Sequence, residues 1–246
     1  MTDSKALVEP ATGAPAASRR TLHVLLGVQS LVVVGVSVNR LGSWADGYVA
    51  SNQFLRWVDL NNMILALVSL VAFYLLKEHL AGPGPRGAAH RWLGVAFIVG
   101  AYLLAASYGS HEVTNYLHTR FCADVTADPL CDIVAYNDDG FSHLLFFAGF
   151  TIVNLVVMLT QVVSPDPVPP TTADTAIVVA NALFIGAGIF ANLAFEEIGY
   201  DLYVVAAIAL LALGLLWRRP RQPILHYYVV AYVAGLVATL AVKLAG

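Results

Sequence analysis

About seven stretches of roughly 20 mostly apolar residues run through the chain, separated by short polar or Pro/Gly-rich joints. A helix rising 1.5 Å per residue crosses about 30 Å of hydrocarbon in some 20 residues, so each stretch reads as a transmembrane helix. The predicted spans are 21–39, 57–77, 90–118, 139–163, 174–197, 200–217 and 224–244. GPGPRG, SPDPVPP and RRPRQP punctuate the gaps after the second, fourth and sixth spans. Pro and Gly end helices there because one lacks an amide donor and the other has no conformational preference. Between the first two spans, Gly42 to Phe54 reads as a short interfacial segment, since Trp44 and Tyr48 suit the headgroup layer. The first residues, Met1 to Ala17, are polar and rich in Ala, Pro and Ser. Residues 1–19 are therefore expected to be a disordered cytoplasmic tail, and 20–246 a single transmembrane domain. Arg19-Arg20 and the apolar run after it imitate a signal peptide. No small-residue cleavage site follows and Asn39-Arg40 closes the run, so it is read as an uncleaved first helix. The expected class is all-α, a polytopic membrane helix bundle with no internal repeat.

Composition supports that pattern. Of 246 residues, 59% are hydrophobic and 12% charged, with a mean hydropathy of +0.72. Soluble domains carry about twice that share of charge. The net charge of −3 and the lack of a basic patch argue against nucleic acid as a partner. The expected partners are the lipid bilayer and other membrane subunits.

The charges are unevenly distributed. If the helices alternate, Lys5, Arg19, Arg20, Lys77, Arg86, Arg91, Arg218, Arg219 and Arg221 share one side, nine of the thirteen basic residues. The positive-inside rule makes that side cytoplasmic and places the protein in the inner membrane, N-terminus inside and C-terminus outside. The opposite side holds eleven of sixteen acids against four basic residues. Cys122 and Cys131, the only cysteines, fall in the outward loop between the third and fourth spans. Extracytoplasmic space permits a disulfide there; two free thiols are the alternative, and the spacing lacks the CxxC form of a metal site.

Ionisable groups near the hydrocarbon boundary are costly and usually have partners or a task. Asp59, Asn61, Asn62, His111, Glu112, Asp139, His143, Glu196 and Glu197 lie at similar depth toward the outer ends of different helices, and Arg40 closes the first. In NDDGFSHLLFFAGF, Asp139 and His143 stand four apart, on one face if the helix has begun. In SHEVTNYLH, His111, Asn115 and His118 also share a face. The two histidines are about 10.5 Å apart along a regular helix, too far for easy sharing of one ion. Either could join Asp139 and His143, and a two-His, one-carboxylate set suits copper, zinc or iron. Asn192, Glu196 and Glu197, with Glu112 and Asp59, would form a second shell or a second site. The competing readings are a structural polar network and plain solvated helix ends, with Asp139 serving as an N-cap. His23, His79, His90 and His226 stand alone toward the inner side. A bis-His haem on His111 and His143 is a minor alternative. No GxSxG, Walker, HExxH or CxxC motif occurs. Ser107 and His111 are similar to the SxxxH of alkaline ceramidases, but the last span carries only His226 where those enzymes have HxxxH.

The order of features also resembles the C subunit of the particulate methane and ammonia monooxygenases. It rests on the outer segment RLGSWADGYVASNQFLRWVDLNN, the helix end AASYGSHEVTNYLH and the helix opening FSH, scattered over residues 20 to 200. The resemblance implies a copper-bearing membrane subunit in which His118 and His143 are ligands. Where the family has an Asp one turn before the first of these, this chain has Thr114; the family's Asn falls at Asn192, and its following His at Glu196. The functional expectation is an outward-facing transition-metal site, copper or zinc, possessing oxidative chemistry if the resemblance holds. A non-catalytic subunit docking a partner through its polar outer belt, or a metal-dependent membrane hydrolase, are the alternatives.

Overall fold

The computed structural model describes residues 14–125, 128–195 and 199–245. The chain forms α1 (Ala14–Leu41), α2 (Trp57–Ala81), α3 (Ala88–Leu117), α4 (Pro129–Ala135), α5 (Ser142–Val163), α6 (Thr172–Phe195), α7 (Asp201–Arg218) and α8 (Pro223–Ala245). Among the described residues there is no strand; one isolated bridge joins Tyr48 and Arg56. Seven spans are long and apolar enough to cross a membrane, with α4 and α5 forming one of them, Pro129–Val163. The bundle wears its large apolar side chains outside: Ile98 is 69% exposed and Leu210 70%. Water would penalise such a surface, whereas lipid solvates it. This is a multi-pass integral membrane protein in contact with the bilayer.

Without a hydrophobic force between helices, close packing at small residues does the joining. The tightest pairs are α3 with α5 and α6 with α8. At Gly149 of α5, a Cβ would stand 2.7 Å from Gly100 O and Leu104 N of α3. At Gly235 of α8, it would stand 2.6 Å from Ile189 Cγ2 of α6. Phe97, Leu104, Val153 and Val156 fill the α3–α5 seam, and a larger core lies among α1, α6, α7 and α8.

The helices depart from expectation before α5 and at the start of α1. The segment expected as a loop before residue 139 is partly helical. Asp128 caps α4, its carboxylate accepting from Leu130 N at 2.8 Å, with Pro129 at the first turn. Asp139 is therefore not an N-cap; it lies inside a π turn, Tyr136–Phe141, that links α4 to α5. A second π turn, His118–Cys122, follows α3. Cys122 and Cys131 are disulfide-bonded with Cα atoms 5.4 Å apart, tying the two turns' helices together. The 42–56 segment contains a single 3-10 turn, Ser43–Ala45. It is clamped to α3 through Gln53, whose positive φ of 59° presents its carbonyl to Tyr116 Oη and Arg120. The first helix begins at Ala14, inside the stretch expected as tail; residues 1–13 lie outside the described ones.

Candidate metal centre

The ends of α1, α2 and α3 nearest Arg40 meet the π turn before α5, and polar side chains from all four converge. A ladder of amides forms the floor. Asn39 donates to Asn62 Oδ1 and to Val58 O, both at 2.8 Å, and Asn61 donates back to Asn39 Oδ1 at 2.9 Å. Asn62 in turn donates to both carboxylate oxygens of Glu112, at 3.2 and 3.1 Å. Arg56 grips Asp59 through two nitrogens, at 2.8 and 2.7 Å, and donates to Asn115 Oδ1 at 3.0 Å. Burial works against the Arg56 charge, but the hydrogen bond and charge of Asp59 outweigh it, so its pKa lies above the ordinary arginine value.

Asp138 stands at the centre. It is 1% exposed, and its two oxygens each meet a histidine of α3 or of the turn that follows it. His118 Nδ1 lies 3.0 Å from Oδ2, which Asn115 Nδ2 also approaches at 3.4 Å. His111 Nδ1 lies 2.9 Å from Oδ1. That second contact lacks the alignment of a hydrogen bond, so both atoms are buried without a hydrogen-bond partner. Nε2 of neither ring makes a hydrogen bond among the described residues. His143 stands beside His111, ring centroids 5.2 Å apart. Asp139 is exposed and reaches 3.8 Å from His118 Nδ1. His118, Asp138 and Asp139 offer ligand atoms all within 4.8 Å of one another. Next to them opens a pocket of about 310 Å³, lined among others by Arg40, Arg56, Asp59, Asn62, His111, Glu112, Asp139 and His143.

Of the residues that the sequence proposes for a shared site, the structure thus gathers His111, His118, Asp139 and His143 in one neighbourhood, with Glu112 and Asp59 in the pocket wall. It does not bring His143 into the His118–Asp138–Asp139 group; that place belongs to Asp138. Asn192 lies half-buried on α6 and makes no hydrogen bond with a described residue, while Glu196 and Glu197 lie outside the described residues. Helical spacing does not single out Asp138, although its separation of five from His143 is the spacing of a π turn. Counted formally, the cluster sets Arg40 and Arg56 against Asp59, Glu112, Asp138 and Asp139. His111 and His118, both on the buried Asp138, offset this excess of carboxylates when protonated, and a bound cation would do the same. The donors present, imidazole and carboxylate, fit a first-row transition ion.

No protein-family model, curated protein or solved structure matches the chain.

Proposed function

We propose that this membrane protein holds a transition-metal ion at its acidic end, on Asp138 with His118 and Asp139. The basic residues at the opposite end support an inner-membrane orientation in which the acidic end faces away from the cytoplasm. The observation that carries the reading is Asp138, a buried carboxylate with an imidazole on each oxygen and one oxygen without a hydrogen bond. A bound ion would add to the charge compensation that the two imidazoles and Asn115 give this carboxylate. Asp139, exposed on the rim, is free to swing inward and complete the set.

The wider site fits the role. Asn115 bridges the Arg56–Asp59 pair to Asp138 and fixes the carboxylate's orientation. The Asn39–Asn62–Glu112 ladder holds a second carboxylate in the pocket wall. A bound zinc ion supplies Lewis-acid chemistry toward a molecule in the pocket, and copper supplies the oxidative chemistry that the monooxygenase resemblance implies. The residues around it orient the substrate and, through the imidazoles, move protons. A site at the lipid boundary favours apolar substrates arriving from the bilayer.

Elemental analysis of detergent-purified protein tests this. Stoichiometric zinc or copper, lost in Asp138→Asn and His118→Ala with the thermal transition retained, is the expected result. Metal-free wild-type protein after reconstitution, or unchanged metal in Asp138→Asn, would overturn it. A second reading, a non-catalytic subunit that docks a partner, is favoured by the exposed stripe Leu130, Ile133 and Tyr136 on α4 and the turn after it. A partner that co-purifies with metal-free protein and is lost in Ile133→Asp would support it.

A further inference from the structure

We infer that a pocket at the basic end of the bundle binds the headgroup of a zwitterionic phospholipid with an N–H-bearing amine, its phosphate on Arg19 and its ammonium on Gln161. The inference is independent of the metal reading, which concerns the other end of the helices.

The pocket, about 320 Å³, is lined among others by Arg19, Leu22, Leu80, Gln161, Asp166 and Pro223. That volume is at the small end of the range for ligand sites. Its walls come from the ends of four spans: Arg19 begins one, Ala81 and Val163 end two, and Pro223 begins another. The pocket therefore lies at the depth where lipid headgroups meet the hydrocarbon, and a lipid is the molecule most concentrated there.

The polar wall is held in place from several sides. Arg19 Nη2 pairs with Asp166 Oδ2 at 2.8 Å and donates to Val168 O. Gln222 staples the same joint, accepting from Asp166 N at 2.8 Å and donating to Asp166 O at 3.3 Å. Gln161 Nε2 donates to Ser164 O at 3.3 Å, and Ser164 Oγ meets His90 Nε2 at 2.8 Å. Two atoms are left over. Arg19 Nη1 and Gln161 Oε1 are buried without a hydrogen-bond partner among the described residues. The Arg19 side chain is 12% exposed, and Gln161 is 2% exposed. Such groups are costly unless something pairs with them.

A cationic donor and a neutral acceptor in one pocket select a ligand with an anionic oxygen and a donor of its own. Charge narrows the choice. With His79 neutral, Arg19 and Asp166 cancel and the wall is formally uncharged. A phosphoethanolamine group is also neutral overall, its phosphate serving Arg19 Nη1 and its ammonium serving Gln161 Oε1 beside the Asp166 carboxylate. A phosphocholine group has no N–H for Gln161. A phosphoglycerol group has a donor but brings an uncompensated negative charge.

The test uses the full chain, delipidated in detergent, reconstituted in vesicles of equimolar phosphatidylethanolamine, phosphatidylcholine and phosphatidylglycerol with identical acyl chains, then re-extracted. Native mass spectrometry counts the retained lipid. Wild type is expected to keep one phosphatidylethanolamine per chain, favoured about tenfold over phosphatidylcholine, the discrimination of one hydrogen bond at a buried acceptor. Gln161→Leu should bring the two to parity, and Arg19→Met should lose both, with thermal transitions measured alongside. A series of N-methylated headgroups on wild type needs no variant: the dimethyl lipid keeps one N–H and should still be retained, whereas the trimethyl lipid should not. Wild type that keeps no lipid, or keeps phosphatidylglycerol in preference, would overturn the inference. Equal retention of the dimethyl and trimethyl lipids, or an unchanged preference in folded Gln161→Leu, would overturn the part given to Gln161. Soluble glycerophosphoethanolamine that raises the thermal transition of a chain retaining no lipid would replace the lipid by a free solute.

Discussion

Replacing Gly149 by alanine puts a methyl carbon 2.7 Å from Gly100 O and Leu104 N, and 2.9 Å from Leu104 Cγ. Ordinary contact begins at 3.4 Å, so the new atom is short by about 0.7 Å, the difference of the two distances. Two of the three obstructing atoms are backbone of α3, fixed by that helix's own hydrogen bonds, and no side-chain rotation makes room. The helices must part. A gap of that size forfeits about a quarter to a half of the dispersion energy of the atoms across it. Overpacking of this kind costs about 1–3 kcal/mol, and the upper end applies because the obstruction is backbone. Alanine's better helix propensity returns about 1 kcal/mol, leaving a net loss of about 2 kcal/mol. Gly109 and Gly214, where an added Cβ would meet nothing within 4 Å, are the controls. There alanine should be neutral or stabilising by up to about 1 kcal/mol. Titration of the detergent-purified protein with SDS, followed by circular dichroism or tryptophan fluorescence, reads all three. If Gly149→Ala unfolds at the same SDS fraction as wild type, the close approach of α3 and α5 is not what holds this seam.

Other expectations follow from the site and its supports. Arg56→Met strands Asp59, whose side chain is 2% exposed. Loss of one partner of a buried pair costs about 3–5 kcal/mol, read in the same SDS titration. Asn62→Ala removes the donor to Glu112 and is expected to cost about 1–3 kcal/mol. The double variant Asn62→Ala/Glu112→Gln should recover part of that loss. The disulfide closes a loop with a sequence separation of 9. Loop-closure entropy for such a ring is about 2.6 kcal/mol, so reduction by dithiothreitol should lower the thermal transition and weaken metal retention together. Ligating imidazoles must be unprotonated, so acidification should release bound metal, followed by dialysis at a series of pH values and elemental analysis.

The bundle was legible because lipid selects on length and apolarity, which the sequence displays directly. The spans from Trp57, Ala88, Thr172, Asp201 and Pro223 stand close to where the apolar runs placed them, and Cys122 pairs with Cys131. The site was legible only as a neighbourhood. Spacing of four chose Asp139 as the partner of His143 because a regular α-helix was assumed through NDDG. The π turn there needs a spacing of five, which turns Asp138 inward and leaves Asp139 on the rim. Nothing in composition announces a π turn; it arises where α3, α4 and the disulfide fix both ends of the segment. The link from Arg56 through Asn115 to Asp138 was equally hidden, since it depends on where the 42–56 segment folds back.

The two π turns carry a consequence for how the His–Asp cluster could be gained or lost. Each holds one residue more than the α-helical pitch accommodates, and one residue is about 100° of rotation. Removing a single codon between Tyr136 and Phe141, for instance that of Gly140, would let the helix run straight into α5. Asp138 would then swing about a quarter-turn relative to His143, although every side chain of the cluster remained encoded. Chain length at one point, rather than the identity of any side chain, decides whether the carboxylate points into the cluster or out toward solvent.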